Sequence, residues 1–224
     1  MKPAGINIYY EDNHVLVVEK PVNIPSQEDS SGDPDLLSIL KEDLKIRHQK
    51  PGNVYLGLVH RLDRPVGGVM VVAKTSKAAA RLSEQIREQK IEKTYLAVIH
   101  GTPREVKGFL EHILLKDPGT NTVSVVSDLR NGAKKALLEY ETLKSAAGYS
   151  LVKIQLHTGR SHQIRVQFAA IGHPLYGDQK YGAEYNKPGQ QLALWSHRLS
   201  FFHPTKNEKI SFESFPPRTE PWII

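Results

Sequence analysis

Between Tyr149 and Ile171 the spacing of apolar residues changes from that of a strand to that of a helix within a few positions. Val152, Ile154 and Leu156 alternate with Lys153, Gln155 and His157, the period of two expected when one face of a sheet is buried. After Thr158-Gly159-Arg160-Ser161, the residues Ile164, Phe168 and Ile171 fall at i, i+4 and i+7. Gly172 can close that helix, and Pro174 prevents its continuation. A chain built this way is neither all-helical nor all-β.

The remaining patterns agree. Short strands are expected over residues 6–10 and 14–19, split by the turn-forming Glu11-Asp12-Asn13. Beyond Pro21 and Pro25 and a polar segment, Leu36, Leu37, Leu40 and Leu44 recur at helical spacing, with Asp35 at the first turn. Residues 66–73 form a glycine-containing, β-branched apolar run, too short for a buried helix and expected as an interior strand. Thr75 or Ser76 can cap a following helix whose Ala78, Leu82 and Ile86 lie four apart, while Arg81, Glu84, Arg87 and Glu88 take the other sides. Strands are expected over 95–99, 109–115, 122–126, 135–143 and 149–156, then near 199–202 and 209–212. With no internal repeat and no low-complexity linker, the simplest account is one α+β domain over residues 1–224.

Composition narrows the chemistry. Among 224 residues there is no cysteine, which excludes disulfides, thiolate nucleophiles and cysteine-ligated metal sites. No apolar stretch approaches the roughly 18 residues of a membrane-spanning helix, and the first residues open no secretion signal. A cytoplasmic protein with no membrane partner is expected. The net charge is +6, and most of it falls in residues 58–107, which hold ten basic and five acidic side chains. Such a bias favours a polyanionic partner. The ten histidines include no helical His-Glu-x-x-His pair, and the sequence holds neither a Gly-x-Ser-x-Gly elbow nor a phosphate-binding Gly-x-x-x-x-Gly-Lys-Ser/Thr loop.

The segment His60-Arg61-Leu62-Asp63-Arg64, followed by Pro65-Val66-Gly67-Gly68, sets a carboxylate between two arginines at the entrance to the apolar strand. Paired glycines there permit close backbone approach, and an Asp so placed can stay ionised and face a pocket, or form a surface ion-pair cluster at a turn. On a helical wheel Arg165 lies at the margin of the Ile164 stripe, where its guanidinium can meet a buried carboxylate or run out to water.

Together these segments resemble the RluA family of pseudouridine synthases, which isomerise uridine in RNA. The resemblance rests on His60-Arg61-Leu62-Asp63-Arg64 with Gly68-Val69-Met70-Val71-Val72-Ala73-Lys74-Thr75 behind it, on Lys93-Thr94-Tyr95-Leu96-Ala97 with Gly101-Thr102-Pro103, and on Thr158-Gly159-Arg160-Ser161-His162-Gln163-Ile164-Arg165 extended to Tyr181-Gly182. It departs from many relatives at Pro65-Val66-Gly67-Gly68, where a small polar residue and Thr-Ser-Gly are usual, and at Gln167, where a His is common.

What the resemblance implies is a pseudouridine synthase fold, a mixed and mostly antiparallel sheet flanked by helices and loops with a central catalytic cleft. It implies Asp63 as the essential carboxylate, attacking C1′ or assisting glycosidic cleavage by taking a proton. It pairs Arg165 with Asp63 and places Tyr95 against the uracil ring. Contacts to RNA are expected from His60, Arg61, Arg64, Lys77, Arg81, Arg87, Arg160 and His162. The reaction needs no redox step, so no cofactor, metal or nucleotide is expected, and the partner is a stem-loop of ribosomal or transfer RNA. Many relatives carry an N-terminal S4 domain, which is not expected here because the catalytic region begins at Ile6. The alternative is a module that binds RNA without modifying it.

Overall fold

A computed structural model of the chain describes residues 5–129 and 131–224. The chain divides into two compact units, one comprising Met1–Glu92 with Ser196–Phe215 and the other Lys93–Trp195 with Pro216–Ile224.

In the first unit, strands β1 (Ile8–Glu11), β2 (Val15–Lys20), β4 (Gly67–Ala73) and β10 (Leu194–Phe202) lie side by side in that order. β3 (Gly57–Leu58) pairs with β4, and β11 (Lys209–Glu213) pairs with β10. The pairs β1–β2, β2–β4, β3–β4 and β10–β11 are antiparallel. Every residue of β4 is buried, as expected for a strand covered on both faces and therefore apolar without alternation. One of its faces forms a core of Val69, Val71 and Ala73 with Val15, Val17 and Leu82. Helix α1 (Leu36–Arg47) is capped by Asp35, whose side chain accepts from Ser38 N, and buries Leu36, Leu40 and Leu44. Each of those leucines removes enough apolar surface to contribute about 1.5–3 kcal/mol. Thr75 caps helix α2 (Ser76–Arg87) in the same manner, accepting from Ala78 N at 3.1 Å.

The second unit is an antiparallel array in the order β5 (Glu92–His100), β9 (Tyr149–Leu156), β8 (Lys134–Ala146), β6 (Lys107–Asp117) and β7 (Thr122–Val126). Helix α3 (Gln163–Ala170) packs Val166 against Leu114, Val123 and Ala136 of that array. Gln167 lies inside: its amide nitrogen donates to Leu110 O at 3.1 Å and lies 3.0 Å from His112 Nδ1. A side chain that departs from the family pattern thus ties α3 to β6. The helix stops where expected, with Gly172 at φ +80° and His173 N donating to Phe168 O at 2.9 Å.

The α+β class expected from the sequence is the class observed. β3 was not foreseen, and β6, β8 and β10 run further than their apolar cores suggested.

Candidate active site

Asp63 sits on the loop between β3 and β4, and that loop is held from beneath by buried groups. Ser26, 5% exposed, grips Leu62 from both sides: its hydroxyl donates to Leu62 O at 2.8 Å and accepts from Leu62 N at 3.2 Å. His60 Nε2 accepts from Val71 N at 3.1 Å, so this ring braces the loop against β4. Val66 N donates to Asp63 O at 2.9 Å and closes a turn at Asp63 itself. Gly68 follows at φ +116°, and a Cβ there would lie 2.2 Å from Ser196 O, so the expected close backbone approach is real and the neighbour is β10.

Lys20, a residue without a sequence-based role, completes the support. It is fully buried at the end of β2, and its ammonium donates to Pro21 O at 2.8 Å, Ile24 O at 2.6 Å and Arg64 O at 3.1 Å. Burial pushes it down to about 7, with the Asp63 charge opposing that shift and the Arg64 charge adding to it.

Arg64 turns towards the polar segment before α1, where it pairs with Asp33 and lies 3.8 Å from Asp29. Arg61 is exposed. On α2, Lys77, Arg81 and Arg87 are all exposed; Arg81 is anchored to Pro204 O at 2.5 Å.

Tyr95 and Arg165 belong to the second unit. Tyr95 is 7% exposed on β5, opposite Ile154 of β9. Arg165, 7% exposed, meets a buried carboxylate. That carboxylate is Asp178: Nε donates to Oδ2 at 2.8 Å and Nη2 to Oδ1 at 2.7 Å, and the guanidinium lies 5.2 Å from the centroid of the Tyr181 ring. Asp178 Oδ1 also accepts from Lys180 N and Tyr181 N. Gly177, at φ +75° with its Cβ position 2.2 Å from Gln191 O, allows the sharp loop that brings Asp178 there. The Tyr181 hydroxyl accepts from Val123 N at 2.9 Å and pairs with His162 Nδ1 at 2.6 Å.

The Thr-Gly-Arg-Ser link is fixed chiefly by Gln163, whose Oε1 accepts from Thr158 Oγ1 at 2.8 Å and Arg160 N at 3.0 Å, while its Nε2 donates to Leu137 O at 3.0 Å. Sequence reasoning missed Lys20, Ser26, Gln163 and the role of Asp178. Of these, Gln163 and Asp178 lie within the span from Thr158 to Gly182 that carries part of the family resemblance.

A family model described as RNA pseudouridylate synthase matches residues 14–170. An uncharacterized RNA pseudouridine synthase of Aquifex aeolicus (strain VF5) is 38% identical, over 98% of this chain and 72% of its own length. Ribosomal large subunit pseudouridine synthase D of Neisseria meningitidis serogroup A is 34% identical, over 95% of this chain and 59% of its own. The solved structure of Human RNA Pseudouridylate Synthase Domain Containing 4 superposes with a TM-score of 0.78, covering 95% of this chain and 89% of that one; at 24% identity it supports the fold alone. The chain belongs to the RNA pseudouridine synthase family, isomerases that act on RNA.

Proposed function

We propose that the protein isomerises a specific uridine in a structured RNA, with Asp63 as the reacting carboxylate. The observation that carries this reading is the scaffold under Asp63, where Ser26, His60 and Lys20 fix the backbone on either side of a single carboxylate. A group that must meet a sugar carbon gains from being held in place before substrate arrives.

The reaction breaks the bond between C1′ and N1, turns the base, joins C5 to C1′ and releases the proton from C5. An ionised Asp63 serves either as the nucleophile at C1′ or as a base in the cleavage. Tyr95 supplies a ring face for uracil and a phenol near the departing proton. Arg165, locked by Asp178, provides a fixed positive charge for the anionic steps. The uridine must be unpaired or extruded, because a stacked base is out of reach.

Relatives named for the ribosomal large subunit favour ribosomal RNA over transfer RNA, and with it a cytoplasmic site of action. The exposed cations of α2 are the proposed contact for the RNA backbone; replacing Lys77, Arg81 and Arg87 together should flatten the salt dependence of binding. Mapping pseudouridines across all cellular RNAs with and without the protein tests the reading. A position lost on deletion and restored by the wild-type protein, but not by Asp63→Asn, supports it. An unchanged map overturns it.

A further inference from the structure

Lys93 differs from the other inward-facing lysines. Lys74 has the Glu11 carboxylate at 2.6 Å, and Lys20 has three carbonyl oxygens. Lys93, at the start of the second unit, lies half-buried on β5 opposite Leu156, and among the described residues its ammonium meets neither a carboxylate nor a carbonyl acceptor. It reaches the glycine of the Thr-Gly-Arg-Ser link, where a Cβ on Gly159 would lie 3.0 Å from Nζ. Beside it is a second cation, Arg160, whose Nε is fixed on Lys135 O at 2.9 Å and whose backbone N–H is fixed on Gln163 Oε1 at 3.0 Å. Burial, and then the Arg160 charge, push the Lys93 ammonium below its ordinary range.

Two like charges near enough to repel, one of them half out of water, are relieved when an anion joins them. Lys93 is two residues from Tyr95 on the same strand and therefore on the same face, about 6.6 Å along it. That separation suits a nucleobase and the phosphate of the same or the next nucleotide.

We propose that Lys93 and Arg160 form a subsite for one backbone phosphodiester of the RNA, adjoining the uridine that stacks at Tyr95. The subsite rests on the proposed role of Tyr95. It would set which flanking linkage carries the substrate into register, a task distinct from the general attraction exerted by α2.

The test uses the full-length protein and a synthetic RNA stem-loop with a single uridine in its loop. The linkages flanking that uridine are replaced one at a time by a neutral methylphosphonate, and binding is measured as a function of salt. With the wild type, one linkage should stand out, its neutralisation weakening binding about tenfold. Lys93→Met should weaken binding to the unmodified RNA by a similar factor, reduce the log–log salt slope by about one phosphate contact, and abolish the penalty at that linkage. Lys93→Arg should restore all three. The proposal is overturned if the wild type tolerates every flanking methylphosphonate equally, a result that needs no variant to fold, or if a folded Lys93→Met keeps the wild-type slope and linkage penalty. Both readouts are binding measurements, so a wild-type protein that binds with this pattern yet leaves uridine unchanged would count against the proposed reaction and not against the subsite.

Discussion

The guanidinium of Arg165 and the carboxylate of Asp178 meet in a two-bond fork, at 2.8 and 2.7 Å, with both side chains buried. The fork comes from a helix and a loop separated by thirteen residues, so it fixes the direction of Arg165 and the path of the Gly177–Asp178 turn at once. Neutralising Asp178 takes a buried charge pair apart. Asp178→Asn should destabilise the protein by about 3–5 kcal/mol in urea denaturation. A loss below about 1 kcal/mol would show the pair to be dispensable.

Ser26 makes a second, simpler test of the scaffold. Ser26→Ala removes a hydroxyl that both donates to and accepts from Leu62, leaving two buried backbone groups without that partner. A cost of about 1–3 kcal/mol is expected. Because Leu62 precedes Asp63, kcat should fall more than KM changes. Equal kcat in a folded variant would mean that Ser26 holds the loop without positioning the carboxylate.

At Gly68, φ of +116° and the 2.2 Å approach to Ser196 O leave no room for a side chain. Gly68→Ala must move backbone in β4 or β10, and should lower stability by several kcal/mol, more than the roughly 1–3 kcal/mol of backbone strain alone. A variant with the wild-type melting temperature would contradict the packing described at this strand.

The sequence made some of these features legible and hid others for physical reasons. β7 and β9 match their expected bounds to the residue, and the helix after Thr158 begins and ends close to where its apolar spacing and Gly172 placed it. Periodicity reports local geometry, and these segments have one clear buried face. β3 is two residues long and has no period to read. The wheel left Arg165 between an inward and an outward position, and Asp178, which it meets, lies in an aperiodic Gly- and Tyr-containing loop, where spacing carries no information. Lys20 was silent because a lysine after a strand ordinarily faces water; only the tertiary fold gathers three carbonyls around it.

That lysine gives the pH prediction. In the unfolded chain Lys20 titrates in its ordinary range near 10.5, and in the native state near 7, where burial has pushed it. Between those values the unfolded chain holds a proton that the native protein has released, so this position makes stability rise with pH across the window and is least favourable below it. Urea denaturation of wild type and Lys20→Met from about pH 6 to about pH 10 should show the wild type gaining on the variant as pH rises. Parallel curves would mean that Lys20 keeps an ordinary proton affinity.

The role of Asp63 is tested most directly by release of tritium from RNA labelled at C5 of uridine, since joining C5 to C1′ expels that hydrogen. The wild type should release tritium from the substrate RNA, and Asp63→Asn should release none above background while binding the same RNA with unchanged affinity. Release by folded Asp63→Asn at the wild-type rate would contradict the assignment.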